Sequence, residues 1–283
     1  MNPFDIAAPA KPTGQPGCYA DLSNDAYHNG PGVSKSQLDL IHKSPSLLPW
    51  SKAAPVHKDK LAALDFGTAL HTLILEPHLF SSQFRIGPVV NRRTTAGREQ
   101  EAEFLAQCES DGAESITADE HAKLLIMRDS LYAHPTARYL MELDGGVSES
   151  SIYWNDEQTG ELCRCRPDRM IQNRNIIVDL KSTADISKIP KSAEEFRYHV
   201  QQAMYCAGYK AHFGEIPEFW FLFASSTVSA GRYEIGVIRL DNDWVVAGEH
   251  QYRQDLETYH QCVKNDDCIH IETINRPFWA SRK

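Results

Sequence analysis

The chain has 283 residues, and its 29 Lys and Arg against 38 Asp and Glu give a formal net charge of −9, which excludes a basic nucleic-acid coat protein. With 42% hydrophobic and 24% charged residues it has an ordinary globular composition, and at this length roughly 75% of the unfolded surface can be buried. Its longest apolar run, Phe219–Ala224, is far short of the ~18 residues a membrane span takes, and its start lacks the basic-then-apolar signal-peptide pattern, so a cytoplasmic protein is expected.

Pro3, Pro9, Pro12 and Pro16, with two glycines, predict a flexible leader over residues 1–18, followed by a single domain over 19–283. The stretch Pro31–His42 reads as a turn and a short helix, with Ser34 as N-cap, Gln37 as its reciprocal partner, and Pro45 and Pro49 ending it. A second helix is expected from about Ala62 to Leu75, where Ala69, Leu70, Leu73 and Ile74 make an apolar stripe and Pro77 stops it. Residues 91–137 are polar, with helices near 95–109 and 117–131 and a basic cluster of Arg92, Arg93 and Arg98, and read as a helical insertion or arm.

From Ser148 the pattern changes to strands. Glu149–Trp154, Leu162–Asp168 and Ile176–Lys181, joined by turn-rich segments, predict an antiparallel meander. A long helix near Ala193–Phe213, strands near Phe219–Ser225 and Tyr233–Leu240, and a helix near Asp243–Lys264 complete a mixed α/β (α+β) chain with one sheet flanked by helices. The seven cysteines are read as reduced thiols, with Cys163 and Cys165 turned to one side of a strand and too tightly spaced for a zinc knuckle.

Arg166-Pro-Asp168, ten residues, then Asp179-Leu-Lys181 is the strongest local signal. Strand alternation sends Asp179 and Lys181 to one face, about 7 Å apart, and Ile176, Val178 and Leu180 to the other. Charges on an otherwise apolar strand must face each other, a metal or a cleft, because isolated burial is costly. A hairpin can set Asp168 beside Asp179, and two carboxylates at one point attract a hard divalent cation. Gly67 and His71 lie one turn apart on a single helix face, and Tyr198, Gln201, Tyr205 and Tyr209 form a polar-aromatic stripe.

In this order, Gly67-x-x-x-His71, Asp168, Asp179-x-Lys181 and Gln201-x-x-x-Tyr205 resemble the RecB-type branch of the PD-(D/E)xK nuclease superfamily. Tyr27-His28, Gly32–Leu38, Cys163–Asp168, Tyr198–Gln201 and Arg276–Trp279 look like the RecE-like (exodeoxyribonuclease VIII) nuclease domain of prophages and phages. The resemblance runs over roughly residues 19–280. It implies a restriction-endonuclease-like core with a central mixed sheet flanked by helices, and a Mg²⁺-dependent 5′-to-3′ exonuclease on linear double-stranded DNA, with Mn²⁺ able to substitute. Such an enzyme leaves a 3′ single strand for a RecT-type annealing protein and works as a homo-oligomeric ring, a tetramer foremost.

Carried over by residue, His71, Asp168, Asp179 and the Leu180 backbone carbonyl would hold the metal, and Lys181 would position the attacking water. Gln201 and Tyr205 would support the site, and Glu149 would match a further acidic position. Ser34 and Ser36 at a helix N-terminus, and Arg92, Arg93 and Arg98, are the DNA-binding candidates. Cys262-x₅-Cys268 departs from the cysteine pattern of the iron–sulfur members, so no cluster is expected. Alternatives are a nuclease of other polarity or with a single-stranded or flap substrate, a catalytically silent DNA-binding scaffold, and a hydrolase of small phosphoesters.

Overall fold

The computed structural model describes residues 14–20, 22–55, 62–271, 273–278 and 280. Most of the expected leader, residues 1–13, and Trp279 of the late motif lie outside them. In chain order the elements are β1 (Gly17–Tyr19), α1 (Asn24–His28), α2 (Lys35–Lys43), α3 (Leu47–Ala53), α4 (Ala62–Leu75), α5 (Pro77–Gln83), β2 (Phe84–Ile86), α6 (Thr95–Asp111), β3 (Glu114–Ile116), α7 (Ala118–Ala133) and α8 (Pro135–Glu142). Then follow β4 (Gly146–Ser148), β5 (Ser151–Asn155), β6 (Leu162–Cys165), β7 (Arg169–Ile171), β8 (Ile176–Thr183), α9 (Ile189–Glu195), α10 (Tyr198–Phe213), β9 (Glu218–Ser229), β10 (Arg232–Ile238) and α11 (Asn242–Lys264). Strand structure thus begins at Gly17, inside the segment read as leader.

The central sheet has the order β10-β9-β8-β7-β4. It is mixed, because β8 and β9 run parallel while the other neighbours are antiparallel. The expected meander is one ribbon split over two sheets, since β5 and β6 pair with β1 in a separate three-stranded sheet. Both strands of that ribbon break at the same level, at Glu149–Ser150 and at Arg166–Asp168. Glu149 therefore stands in a left-handed kink at φ 52, not at the head of a strand as expected, and its N–H donates to the Asp168 carbonyl at 3.1 Å.

Strand alternation divides the core as expected. Val178, Leu180, Leu222 and Ala224 bury one face of the sheet against α4, α7 and α8, and Ile177, Phe219, Phe221 and Phe223 bury the other against α10 and α11. Cys163 and Cys165 are both buried on the second side.

Residues 91–137 are not all arm. Capped by Thr117, which exchanges hydrogen bonds with Glu120, α7 places Leu124, Met127 and Leu131 at 0% exposure in the core. That i, i+3, i+7 stripe is short amid polar residues, which hides it in the sequence. The paired helix α6 buries only Gly97 and Cys108 and stays on the outside. Cys262 and Cys268 form a disulfide where α11 ends, with Cα atoms 4.7 Å apart, whereas sequence context points to reduced thiols; Cys18, Cys108, Cys163, Cys165 and Cys206 are free.

A close helix crossing holds α10 against α11. A Cβ added to Gly248 would lie 2.3 Å from the His199 carbonyl oxygen, and a backbone atom cannot turn aside. Gly248→Ala is therefore expected to lower unfolding stability by about 1–3 kcal/mol, the usual cost of overpacking, although Ala is the better helix former. Denaturant midpoints at an unchanged slope measure it, and an equal or higher midpoint would contradict this packing.

Candidate metal centre and active-site cleft

The expected site residues come from four separate places in the chain. His71 lies in the last turns of α4, Glu149 and Asp168 occupy the two ribbon breaks, and Asp179 and Lys181 come from the middle of β8. The breaks matter because a continuous ladder would alternate these side chains across a flat surface. Where pairing lapses, both carboxylates turn into one hollow.

His71, Glu149 and Asp168 each offer a ligand atom, all within 4.8 Å of one another. His71 Nδ1 is 3.7 Å from Asp168 Oδ2, and the same Oδ2 accepts the Leu180 N–H at 2.6 Å. A strand residue presents its N–H and C=O along the same edge, so the Leu180 carbonyl shares the edge that faces Asp168.

Asp179 is 1% exposed. Its Oδ1 accepts the Gln201 amide at 2.6 Å, and its Oδ2 is ion-paired to Lys181 Nζ at 2.6 Å but receives no hydrogen bond of good geometry among the described residues. Glu149, Asp168 and the His71 imidazole make a hard donor set that fits a divalent cation, whereas Asp179, expected as a further ligand, is not among the atoms gathered there.

Two clefts meet at the end of β8. One, of about 440 Å³, is lined by His71, Glu76, Glu149, Arg166, Asp168 and Tyr205. The other, also about 440 Å³, is lined by Lys35, Lys43, Lys181, Phe196, Tyr198 and Gln201. Ser182 belongs to both walls. An acidic hollow suited to a cation thus adjoins a basic one suited to a phosphodiester.

Burial pushes the Glu149 carboxyl up to about 9, with the Asp168 charge adding to it. Burial also raises Asp179 to about 6, held back by Lys181 and pushed further by Asp168. Lys181 is pulled down by burial, but Asp179 and Asp168 outweigh this and leave it above the usual lysine value. Tyr205, pushed well up by burial, keeps its proton.

Both carboxyls bind protons more tightly in the folded chain than in the unfolded one, so the cation-free protein loses stability as pH rises from about 4.5 toward 9. A cation bound by these carboxyls would take the place of those protons. The rise in melting temperature on adding Mg²⁺ or Mn²⁺ is expected to be greater at about pH 8.5 than at about pH 6. A pH-independent rise would argue against these ligands.

The DNA-binding candidates fare differently. Ser34 and Ser36 bond to each other at 3.0 Å, and the Ser34 N–H donates to Gln37 Oε1 at 2.9 Å; they build the start of α2 and line neither cleft. Arg92 is bidentate to Glu101, with Nη2 2.5 Å from Oε1, and lines a separate hollow beside β3 and α6. Arg93 and Arg98 are exposed nearby, outside both clefts. The structure does not bring this arginine cluster to the acidic site.

Two contributors carried no role in the sequence. Glu76, immediately after α4, lines the acidic cleft and its charge raises Glu149; its signal was an acidic residue five positions beyond His71, masked by Pro77. Arg166 is 8% exposed and ties the ribbon break to the N-terminal segment through Ser151 Oγ at 2.9 Å, Asn24 Oδ1 at 2.6 Å and the Leu22 carbonyl at 2.5 Å. Its guanidinium lies 4.4 Å from the Tyr27 ring centroid. Gly67, expected to admit a neighbouring backbone, instead meets open space among the described residues and forms part of the cleft wall.

The family described as "PDDEXK-like domain of unknown function (DUF3799)" matches residues 34–275. No curated protein matches. Among solved structures, a candidate exonuclease from Eubacterium rectale superposes with a TM-score of 0.59 at 15% identity, over 91% of this chain and 96% of the other. A phage-related exonuclease from Haemophilus somnus aligns with a TM-score of 0.30 at 13% identity, over 70% of this chain and 95% of the other.

Proposed function

The chain belongs to the PDDEXK-like family DUF3799, and from that premise we propose that it is a divalent-metal-dependent exodeoxyribonuclease acting on linear double-stranded DNA. Its mixed sheet between helical layers is the PD-(D/E)xK fold expected from the resemblance. The observation that carries the reading is Lys181 Nζ at 2.6 Å from Asp179, with Lys181 lining the basic cleft that shares Ser182 with the acidic one.

His71, Glu149, Asp168, Asp179 and the Leu180 carbonyl would hold the cation, Mg²⁺ or Mn²⁺. When bound, it supplies charge neutralisation for the phosphate oxygens and a more acidic water. Lys181, cationic and anchored by Asp179, orients the attacking water and offsets the charge that grows on the phosphate. Gln201 fixes the Asp179 rotamer through Oδ1, leaving Oδ2 for Lys181 and the cation. Tyr205, protonated, closes the apolar side of the acidic cleft.

The RecE-like resemblance supports the finer reading: 5′-to-3′ polarity, a 3′ single strand passed to a RecT-type annealing protein, a ring-shaped homo-oligomer with a tetramer foremost, and action in the cytoplasm. No described helix is long and apolar enough to cross a membrane.

Digestion of linear duplex carrying a 5′ or a 3′ label, beside a closed circular duplex, with Mg²⁺ or with chelator, tests the proposal. Early release of the 5′ label, an intact circle and no reaction in chelator are expected. Cleavage of the circle would remove the exonuclease assignment, and intact linear DNA with Mg²⁺ would remove the nuclease.

A further inference from the structure

Phe196 stands at the break between α9 and α10 with 54% of its surface exposed, beside the Lys181 cleft. A single exposed apolar residue ordinarily needs no explanation. Here, however, its backbone is held on every side. The Phe196 carbonyl accepts Lys35 Nζ at 2.6 Å, and its N–H donates to the Ser192 carbonyl at 2.9 Å.

Arg197, the next residue, sits at φ 54, a left-handed conformation that a non-glycine residue keeps only when its surroundings impose it. They do: its 8%-exposed side chain pairs with Asp39 at 2.8 Å and with Asp255, and Asp255 also meets His42 Nδ1 at 3.1 Å. A charge network from α2 and α11, with Arg197 and Asp255 buried at its centre, thus fixes a strained turn that points an apolar ring at solvent.

The ring is aligned with the chemistry. Its centroid is 5.9 Å from that of Tyr198, at an interplanar angle of 30°, and Lys181 Nζ lies 5.4 Å from the Tyr198 centroid. An aromatic row therefore runs from the mouth of the basic cleft to the proposed catalytic lysine.

We infer that Phe196 is a stacking platform for a nucleobase of the DNA strand whose phosphodiester occupies the Lys181 cleft. The inference rests on the nuclease reading and adds the group that holds the base. Every base has a π face, so stacking on an aromatic ring tolerates any sequence, as an enzyme advancing through DNA requires. The rigid mounting limits the ordering cost of binding.

The test uses the full chain and a linear duplex with 2-aminopurine in a short unpaired 5′ overhang, in Ca²⁺, with strand integrity checked by gel. Binding to the wild type is expected to quench the 2-aminopurine fluorescence. Phe196→Ala should abolish the quench and weaken affinity by about 5- to 150-fold, the range one base stack supplies. Phe196→Trp should retain both, and Phe196→Leu, which keeps bulk without a ring, should resemble Phe196→Ala. Because the ring is exposed, melting temperatures should be unchanged.

An unaltered quench and affinity in Phe196→Ala, or full rescue by Leu, would overturn the inference. If the wild type degrades no DNA but shows a ring-dependent quench, the nuclease reading fails and the platform stands. If DNA is degraded and the quench ignores residue 196, only the platform fails.

Discussion

Asp179→Asn is expected to reduce DNA hydrolysis by about 10³-fold or more while leaving the fold intact. The loss follows from removing the charge that a cation needs at this point, which is worth several kcal/mol of transition-state stabilisation, with each 1.36 kcal/mol a factor of ten. Asn has the same shape, and its carbonyl oxygen can still accept the Gln201 amide that now bonds to Oδ1.

Stability should move the other way. Burial lifts the Asp179 carboxyl to about 6, so above that pH the folded protein carries an anion it holds less readily than the unfolded chain does. A neutral amide removes that penalty, although Lys181 loses its partner. With 21% of its side chain exposed, Lys181 can recover solvation. Asp179→Asn should therefore melt no lower than the wild type near pH 8 without added cation, and should show little Mg²⁺-dependent rise. Turnover within tenfold of the wild type would remove Asp179 from the cation site.

Lys181→Ala is the second large effect: turnover falls by about 10²–10⁴-fold, the range for a positioned group acting on a proton or a growing charge, while DNA affinity changes little. Lys35, Lys43 and Arg197 line the same cleft and remain to hold the backbone. The Lys181 charge also restrains the Asp179 carboxyl, which burial and Asp168 push up. Without it Asp179 holds its proton to higher pH, so the acid limb of the residual pH–rate profile should shift upward. Lys181→Arg should restore the charge but little of the rate, because a planar guanidinium does not reproduce a compact ammonium. Equal losses of binding and turnover, with an unmoved profile, would make Lys181 a DNA anchor instead.

Sheet periodicity explains why so much of this site was legible. Placing Asp179 and Lys181 on one face and Val178 and Leu180 on the other needs only the two-residue repeat of β8, and the core division along β8 follows it. The helix over 62–75 and the start of α2 after Ser34 were legible for the same reason, since apolar spacing and a capping side chain act within one turn. The failures were non-local. Nothing near Glu149 announces that its strand breaks opposite the break at Asp168, and nothing near Arg92 announces Glu101 as its partner. The three core residues of α7 are spread among charges and become a core only when α4 and the sheet meet them.

By itself, then, the sequence determined the order of motifs, the fold class and the face of β8 that carries Asp179 and Lys181, because each depends on contacts within one element or on a repeat of two or 3.6 residues. The tertiary structure alone decided that two coincident strand breaks turn Glu149 and Asp168 toward His71, that Glu76 and Arg166 join them, and that Cys262 pairs with Cys268. It also decided that Arg197 is strained into holding Phe196 outward. These depend on residues far apart in the chain meeting in a desolvated space, where burial raises a carboxyl or fixes an ion pair, and no local pattern encodes which distant group will be there.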